Sequence, residues 1–168
     1  MIRGAFVSMI LLLFGTPALG QVAPGRTRPA FSLSNVRDST FALATPRTRP
    51  LILIFTTKDL GDYSMAWRDS LTSRAGNGVE IQTILDLSDV SGWQRGLARL
   101  KIRAKGSKAL LDWDGKVAGA WRGPGRSQVV VYAVSPDNIV RLSLAGNATP
   151  ENVRQVIQSA RQMPLERR

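Results

Sequence analysis

The chain has 168 residues, with 23 lysines and arginines against 12 aspartates and glutamates, a formal net charge of +11, and neither cysteine nor histidine. Hydrophobic residues make up 43% and charged residues 21% of the sequence, a balance typical of a globular protein with one domain. The two missing residue types exclude thiol nucleophiles, redox dithiols, disulfides, zinc–thiolate sites and imidazole bases or ligands. We expect no metal ion and no cofactor.

The first 20 residues have the layout of a secretory signal peptide. Arg3 precedes the apolar run Ala5–Phe14, which is too short to span a bilayer stably, and Ala18-Leu19-Gly20 is a small-x-small cleavage pattern. We predict cleavage after Gly20 and a periplasmic or secreted mature protein; the alternative is an uncleaved membrane anchor. No later apolar run approaches spanning length, so no transmembrane span is expected after cleavage.

The rest of the chain divides into a short lead-in and one domain. Residues 21–29 are rich in proline, glycine and arginine, which predicts a flexible lead-in, and residues 30–164 are predicted to form a single domain. This domain opens with a hairpin, because the short segments Phe31–Leu33 and Thr40–Leu43 flank the turn Arg37-Asp38-Ser39.

Strand and helix signals alternate through the middle of the chain. The predicted elements are, in order, a buried strand at Leu51–Phe55, a helix through Tyr63, Trp67 and Leu71 that stops at Gly76-Asn77-Gly78, an alternating strand at Val79–Leu87 and a helix over Ser91–Lys105. The second helix has one apolar face, which we expect to pack against the core: Trp93, Leu97, Leu100 and Ala104.

The last third of the chain contains turn and capping signals. Asp114-Gly115 is a strong hairpin-turn dipeptide between Ala109–Trp113 and Lys116–Trp121. The elements predicted after it are a strand at Gln128–Val134, the turn Ser135-Pro136-Asp137-Asn138, a strand at Ile139–Leu144 and a helix that Thr149 caps and Pro150 begins.

The order of these elements predicts the fold class. A strand–helix–strand unit needs a parallel pair with a right-handed crossover, whereas two late strands joined by a tight turn need an antiparallel pair. The sequence therefore predicts an α/β fold with a mixed central β-sheet, helices on both faces and an N-terminal β-hairpin. This is the plan of a thioredoxin-like domain.

Residues 112–121 read D-W-D-G-K-V-A-G-A-W and have the form D-x-x-G-x-x-x-G-A-W. A valine-rich strand and an Asp-Asn turn follow, and Pro150 then stands in T-P-E-N-V-R-Q-V. This pattern resembles the C-terminal half of the YtfJ family, exported bacterial proteins with a thioredoxin-like fold; the likeness is close over residues 109–157 and loose over residues 31–87. The motif is a signature of the fold and implies no catalytic residue.

One turn departs from the family pattern. The family favours D-x-D-G where this chain has Ser135-Pro136-Asp137-Asn138. Because asparagine tolerates the positive φ that glycine would supply, we expect the turn to keep its conformation.

The wider thioredoxin and peroxiredoxin superfamily carries its reactive cysteine after the first buried strand, where a helix N-terminus lowers the thiol pKa. By this resemblance, Leu60 and Tyr63 occupy the two cysteine positions of C-x-x-C, and Ser64 occupies the peroxidatic position. Neither alignment leaves a thiol, and residues 127–130 lack the proline that thioredoxins place in cis opposite the site. Thiol–disulfide and peroxidase activity are thereby excluded. We expect a vacated redox loop that consists of Lys58, Asp59, Leu60, Gly61, Tyr63 and Ser64.

Other candidate catalytic and metal-binding groups receive structural interpretations. As a hydrolytic nucleophile, Ser64 would need a base, and a Ser–Lys pair with Lys58 is the one conceivable arrangement; we expect the serine to pack or cap at the helix start. Four carboxylates end strands or flank turns, and their spacing matches no calcium-binding loop. We expect turn formation and helix capping, and no metal site, at Asp86, Asp89, Asp112 and Asp114.

A basic cluster falls within 14 residues that contain no acid and consists of Arg95, Arg99, Lys101, Arg103, Lys105 and Lys108. On a helix, Arg95, Arg99 and Arg103 stack at four-residue spacing, where like charges repel by about 0.2–0.5 kcal/mol per pair. An anionic surface or polyanion would offset this repulsion. We favour a solvated helix face pointing away from the apolar stripe. No exposed aromatic residues are expected among the cations, so there is no specific nucleic-acid signal.

Two functions from different classes follow from the sequence. The first is a non-catalytic periplasmic protein with a binding or scaffolding role and an unknown periplasmic protein partner, which the signal peptide, the fold order and the cysteine-free loop favour. The alternative is an enzyme of unfamiliar chemistry that uses the Lys58–Ser64 loop, or a degenerate peroxiredoxin-like protein that retains only ligand or partner binding.

Overall fold

The computed structural model describes residues 24–26, 30–43, 47–123 and 125–162, so the predicted signal peptide and most of the lead-in lie outside the described residues. In chain order the elements are β1 (Ser32–Ser34), β2 (Thr40–Ala42), β3 (Leu51–Thr57), α1 (Gly61–Ala75), β4 (Glu80–Asp86), α2 (Arg95–Ala104), β5 (Leu110–Asp112), α3 (Lys116–Arg122), β6 (Val130–Val134), β7 (Val140–Ala145) and α4 (Pro150–Arg161). Short 3-10 turns precede α1 and α2, at Lys58–Leu60 and Gly92–Gln94.

The central sheet has the strand order β5-β4-β3-β6-β7. β3 and β4 run parallel, from Leu51 opposite Glu80 to Thr57 opposite Asp86, and β5 runs parallel to β4 on its other side. β6 pairs antiparallel with β3, and β7 pairs antiparallel with β6. β3 has a neighbour on each side and is buried along its whole length, as its apolar run predicts. The predicted mixed sheet is confirmed, and so is the hairpin formed by β1 and β2.

Different elements cover the two faces of the sheet. On one face, Leu53 and Phe55 pack against α3 and the hairpin, and the Trp121 ring stacks on Phe55 with a centroid distance of 5.7 Å. On the other face, Ile52 and Ile54 pack against α1 and α4. This division follows from the strand itself, because alternate side chains of β3 point to opposite faces. Helices therefore lie on both faces, as predicted.

The segment after the Asp114-Gly115 turn is a helix, so the hairpin arm predicted at Lys116–Trp121 is wrong. Gly115 precedes α3 with a left-handed φ of +68°. Asp112 Oδ2 accepts a hydrogen bond of 2.7 Å from the backbone N–H of Ala118 and so satisfies a donor in the first turn of α3. This carboxylate starts a helix where the turn dipeptide alone favours a hairpin.

Two other local predictions are confirmed. Asn138 has a φ of +60°, so the turn between β6 and β7 keeps the left-handed residue that glycine would otherwise supply. Thr149 caps α4, because its side-chain oxygen accepts a hydrogen bond of 3.2 Å from the backbone N–H of Asn152. Pro150 occupies the first turn of that helix, as expected.

The α2 helix has the opposite orientation to the predicted one. Its apolar face is exposed to solvent, with exposed fractions of 55% for Leu97 and 64% for Leu100, and Trp93 in the 3-10 turn just before it is 83% exposed. Ile102 packs against the body of the protein instead, on a small cluster formed by Val36, Leu87 and Leu111. The prediction that the apolar face packs on the core is therefore wrong.

Two arginines hold α2 in this orientation. Arg95 donates a hydrogen bond of 3.0 Å to the carbonyl oxygen of Trp113, and its guanidinium lies 5.6 Å from the centre of the Trp113 ring. Arg99 forms an ion pair with Asp38 in the hairpin turn. Because these arginines and Ile102 share one side of the helix, the apolar face points outward. Periodicity identifies an apolar face but does not say what the face contacts.

Segments before β3 pair with both outer edges of the central sheet, each at one position of the edge strand. The backbone N–H of Gly25 donates to the Val140 carbonyl at 2.8 Å, and the N–H of Val140 donates to the Arg26 carbonyl at 3.2 Å. At the opposite edge, Asn35 forms a β-bridge with Leu110. The described part of the lead-in therefore pairs with β7.

Within the described ranges, no helix is long and apolar enough to cross a membrane.

We expect Gly115→Ala to lower the free energy of unfolding by about 2 kcal/mol or more, because it adds backbone strain and overpacking. The new Cβ would lie 2.7 Å from Ser88 Cβ, at a φ of +68°. Gly119→Ala is the matched control within α3: its surroundings are open and alanine is favoured in a helix interior, so this variant should be neutral or stabilising. Urea denaturation measures both, and equal effects would contradict this account of the turn.

Candidate functional site

The carboxyl ends of the three parallel strands lie side by side at one edge of the sheet. Thr57, Asp86 and Asp112 are buried there in register, with Asp86 between the other two. Open α/β sheets bind their ligands beyond the carboxyl ends of the strands. Lys58 follows Thr57 directly, so the predicted redox loop begins at this same edge.

Lys58 forms an ion pair with the loop that follows β4. Its Nζ lies 3.0 Å from Asp89 Oδ2. The hydrogen bond and the negative charge of Asp89 raise the pKa of Lys58. Burial alone would raise the pKa of Asp89, but the hydrogen bond and charge of Lys58, with the charge of Arg126, hold it below its usual value. The pair is therefore ionised at neutral pH, and a lysine with a raised pKa is poorly suited to act as a base.

The other loop residues make structural contacts or face solvent. Ser64 is buried, and its Oγ donates a hydrogen bond of 2.8 Å to the carbonyl oxygen of Gly61 within the first turn of α1. Leu60 packs against the core between α1 and α4, Asp59 is exposed, and Tyr63 is 53% exposed. Among the described contacts, no hydrogen bond joins the serine to the lysine of this loop. These contacts agree with the expectation that Ser64 packs or caps at the start of the helix.

The centre of this edge holds a buried ion pair that the sequence analysis missed. Asp86 Oδ2 lies 2.8 Å from Arg122 Nη2, and their side chains are only 5% and 1% exposed. Arg126 Nε lies 3.2 Å from the same oxygen, an ion pair without hydrogen-bond geometry. Asp86 Oδ1 also accepts hydrogen bonds of 3.0 and 2.8 Å from the backbone N–H and the hydroxyl of Ser88. Burial lowers the pKa of Arg122, and the charge of Asp86 opposes that effect.

Asp112 and Asp114 cap the turn and helix that follow β5. Asp112 Oδ2 accepts from Ala118, while its Oδ1 has no hydrogen-bond partner among the described residues. Burial raises the pKa of Asp112, the Ala118 N–H opposes this, and the charges of Asp114 and Asp86 reinforce it. Asp114 Oδ1 accepts from the Lys116 N–H at 3.3 Å, and its Oδ2 lies 2.8 Å from Lys116 Nζ. The capping interpretation is therefore confirmed for these two carboxylates.

The acidic side chains of the described ranges do not assemble a metal site. Within those ranges, no group of three or more potential metal-ligating residues comes together. Asp86 is neutralised by two arginines and Asp89 by Lys58 and Arg126. The edge is therefore a network of ion pairs and caps. The one hydroxyl that donates to a carboxylate among the described contacts of this edge is that of Ser88, and its acceptor, Asp86, is already paired with Arg122 and Arg126.

The six cations of the predicted basic cluster fall into two groups. Arg95 and Arg99 contact the body of the protein through Trp113 and Asp38. The other four are exposed and form no ion pair with any described residue: Lys101, Arg103, Lys105 and Lys108. Of the predicted anion-binding set, the four exposed cations are thus available to a partner, whereas Arg95 and Arg99 attach α2 to the body of the protein.

No protein-family model matches the chain, and no curated protein matches it. Solved structures are similar to it. The exposed lipoprotein thioredoxin of Streptococcus pneumoniae superimposes with a TM-score of 0.63 and 16% identity, covering 77% of this chain and 98% of that one. For a DsbF homologue of Corynebacterium diphtheriae the TM-score is 0.60, with 15% identity and coverage of 93% and 99%. The fold is thioredoxin-like.

A peroxiredoxin-like protein of Aquifex aeolicus is also similar, with a TM-score of 0.55, 10% identity and coverage of 83% of this chain and 88% of that one. These likenesses extend over nearly the whole of each solved chain and concern the fold. The α/β class with a mixed sheet and an N-terminal hairpin, predicted from the element order, is confirmed.

The free energy of unfolding lost on breaking the buried ion pair should depend on which partner is removed. We expect Asp86→Asn to lower the free energy of unfolding by about 3–5 kcal/mol, because it leaves Arg122 buried without a counter-charge. Arg122→Met should cost less, since Asp86 keeps Arg126 and both Ser88 donors. Arg126→Met, at the half-exposed position, should cost about 1 kcal/mol or less. Chemical denaturation tests this order, and a larger loss for Arg122→Met would contradict it.

The raised pKa of Asp112 predicts a pH-dependent effect of Asp112→Asn. The amide keeps an oxygen for the Ala118 N–H and removes a buried charge, so the variant should be more stable than the native chain at neutral pH. A carboxyl whose pKa is raised in the folded state stabilises the fold as pH falls through that pKa. The advantage of the variant should therefore shrink on acidification and vanish below about pH 4. Thermal unfolding across this range measures it, and a destabilised variant at neutral pH is the contrary result.

Proposed function

We propose that this chain is an exported, cysteine-free thioredoxin-like protein, related to the YtfJ family, that binds a partner and performs no thiol chemistry. One observation carries the proposal. At the strand edge where thiol enzymes of this fold place their reactive cysteine, Lys58 is ion-paired with Asp89 and Ser64 is hydrogen-bonded to Gly61. The chain contains no cysteine at any position. The loop therefore has structural contacts where those enzymes have a nucleophile.

The kinship with the YtfJ family is supported by the roles that its motif plays in the fold. In D-x-x-G-x-x-x-G-A-W, the first residue, Asp112, accepts the N–H of Ala118 at the start of α3. The first glycine, Gly115, has the left-handed φ that the turn requires. The last residue, Trp121, fills the aromatic core beside Phe55. Three of the five fixed positions of the motif therefore have a structural role, which is expected of a motif that marks a fold.

Export is supported by the signal-like pattern of residues 1–20, with cleavage after Gly20, and by the presence of a lipoprotein thioredoxin among the similar structures. We propose a periplasmic or secreted location. In that oxidising compartment the domain has no disulfide to stabilise it, so its two-sided apolar core must do so alone.

The geometry gives no support to an enzyme acting through the Lys58–Ser64 loop. Such an enzyme would need a base with a depressed pKa beside the serine hydroxyl, and the pKa of Lys58 is raised by Asp89. The other alternative, a degenerate peroxiredoxin-like protein that retains only ligand or partner binding, is also a binding protein without thiol chemistry and therefore leads to the same proposal.

The proposed partner is a periplasmic protein or an anionic surface. Affinity capture from the periplasm of native cells tests the first, and a stoichiometric partner is the expected result.

The purified protein should neither reduce insulin in the presence of dithiothreitol nor consume hydrogen peroxide above a protein-free blank. The double variant Leu60→Cys/Tyr63→Cys is the positive control. It places two thiols at the start of α1, where the helix N-terminus lowers a thiol pKa, and should gain insulin reduction. Turnover by the cysteine-free chain under metal-free conditions would overturn the proposed function.

A further inference from the structure

The outer side of α2 carries an apolar stripe that nothing in the described part of the chain covers. This stripe consists of Leu97 and Leu100 on α2 and Trp93 in the 3-10 turn just before it, with exposed fractions of 55%, 64% and 83%. Single exposed hydrophobic residues are ordinary on a protein surface, whereas an exposed row on one helix marks a binding surface. Only two other large hydrophobic residues of the described chain are exposed, Tyr63 and Met65 on α1.

Cations border the apolar stripe on both sides. With about 100° between successive residues of α2, Leu97 and Leu100 span an arc of about 60°, with Lys101 next to one border and Arg103 next to the other. Both side chains are exposed and form no ion pair with any described residue. From residue 90 to residue 111 the chain has no aspartate or glutamate. A ligand that fits this surface must therefore be apolar along a narrow line and negatively charged on both sides of it.

A bilayer with anionic headgroups has this combination of properties. Tryptophan is favoured at the boundary between headgroups and acyl chains, where its ring is apolar and its N–H is polar. Long basic side chains beside an inserted apolar face extend to the lipid phosphates. The attachment of α2 to the protein lies on the opposite side of the helix, at Ile102, Arg95 and Arg99. Its outer side is therefore free to lie flat on a plane.

We propose that α2 docks on the surface of an anionic phospholipid bilayer, with the apolar stripe at the headgroup–acyl boundary and Lys101 and Arg103 at the phosphates. This inference deepens the proposed function and rests on it, because it specifies the anionic partner of an exported binding protein. The net charge of the whole chain, +11, becomes +10 when Arg3 is removed with the signal peptide. This charge attracts the molecule to such a surface, and the stripe fixes which side of it makes contact.

Co-sedimentation of the purified exported protein with vesicles tests the proposal. It should bind vesicles of phosphatidylglycerol and phosphatidylethanolamine and bind pure phosphatidylcholine weakly. The triple variant Trp93→Ser/Leu97→Gln/Leu100→Gln should lose at least about tenfold in partition coefficient. Lys101→Gln/Arg103→Gln should lose about 30-fold. Arg68→Gln/Arg74→Gln removes the same charge from α1 and should lose about threefold or less.

The tryptophans supply a second readout. Trp67 and Trp121 are buried and Trp113 lies beside Arg95, so brominated acyl chains should quench Trp93 selectively. Trp93→Phe should keep vesicle binding and lose the quenching. Circular dichroism should show native folding in every variant of the vesicle-binding assay, because the substituted side chains are exposed or, for Arg68, half-buried.

Several results would overturn the proposal. The first is that the triple variant still binds vesicles. The second is that the α1 control loses as much of the partition coefficient as the Lys101→Gln/Arg103→Gln variant. The third is that the protein binds vesicles while brominated acyl chains leave Trp93 fluorescence unquenched. Retention on heparin without vesicle binding would identify a polyanion as the ligand and would also overturn it. None of these results bears on the insulin and peroxide assays, so failure of the membrane surface is distinguishable from failure of the proposed function.

Discussion

The ion pair between Asp86 and Arg122 joins the end of β4 to the end of α3, and Arg126 extends it to the chain that leads into β6. Both charges of the central pair are out of contact with water, so each depends on the other for compensation. The pair lies at the carboxyl ends of the parallel strands, at the edge where the Lys58–Ser64 loop begins. In this protein that edge is therefore held together by electrostatics, and its polar groups are largely occupied by one another. A ligand there would have to displace contacts on which the fold depends.

The sequence predicted the features that depend on neighbouring residues and missed those that depend on distant ones. The apolar run of β3, the Thr149 cap and the Asn138 turn were correct because each signal lies within a few residues of its effect. The Asp86–Arg122 pair spans 36 positions of the chain and matches no spacing rule. The α3 helix was missed because the Asp-Gly dipeptide favours a hairpin, whereas the buried Asp112 carboxylate starts a helix.

The orientation of α2 shows a different limit of sequence reasoning. Its apolar periodicity was detected, but the assumption that an apolar face packs inward was wrong. The contacts that decide the orientation, Arg95 on Trp113 and Arg99 on Asp38, join residues far apart in sequence. At the strand edge the polar residues contact one another and leave few groups for a ligand. The outer side of α2 makes no contact within the described chain, so it is the better candidate for a binding surface.

The N-terminal segments that pair with both outer edges of the sheet have a consequence for self-association. Gly25 and Arg26 pair with β7, and Asn35 bridges to β5. An uncovered edge strand offers unpaired N–H and C=O groups to a second chain and can template aggregation. These contacts occupy only Val140 of β7 and Leu110 of β5. Proteolytic loss of the residues that make them would therefore lengthen the unpaired edge on both sides of the sheet and favour pairing with a second chain.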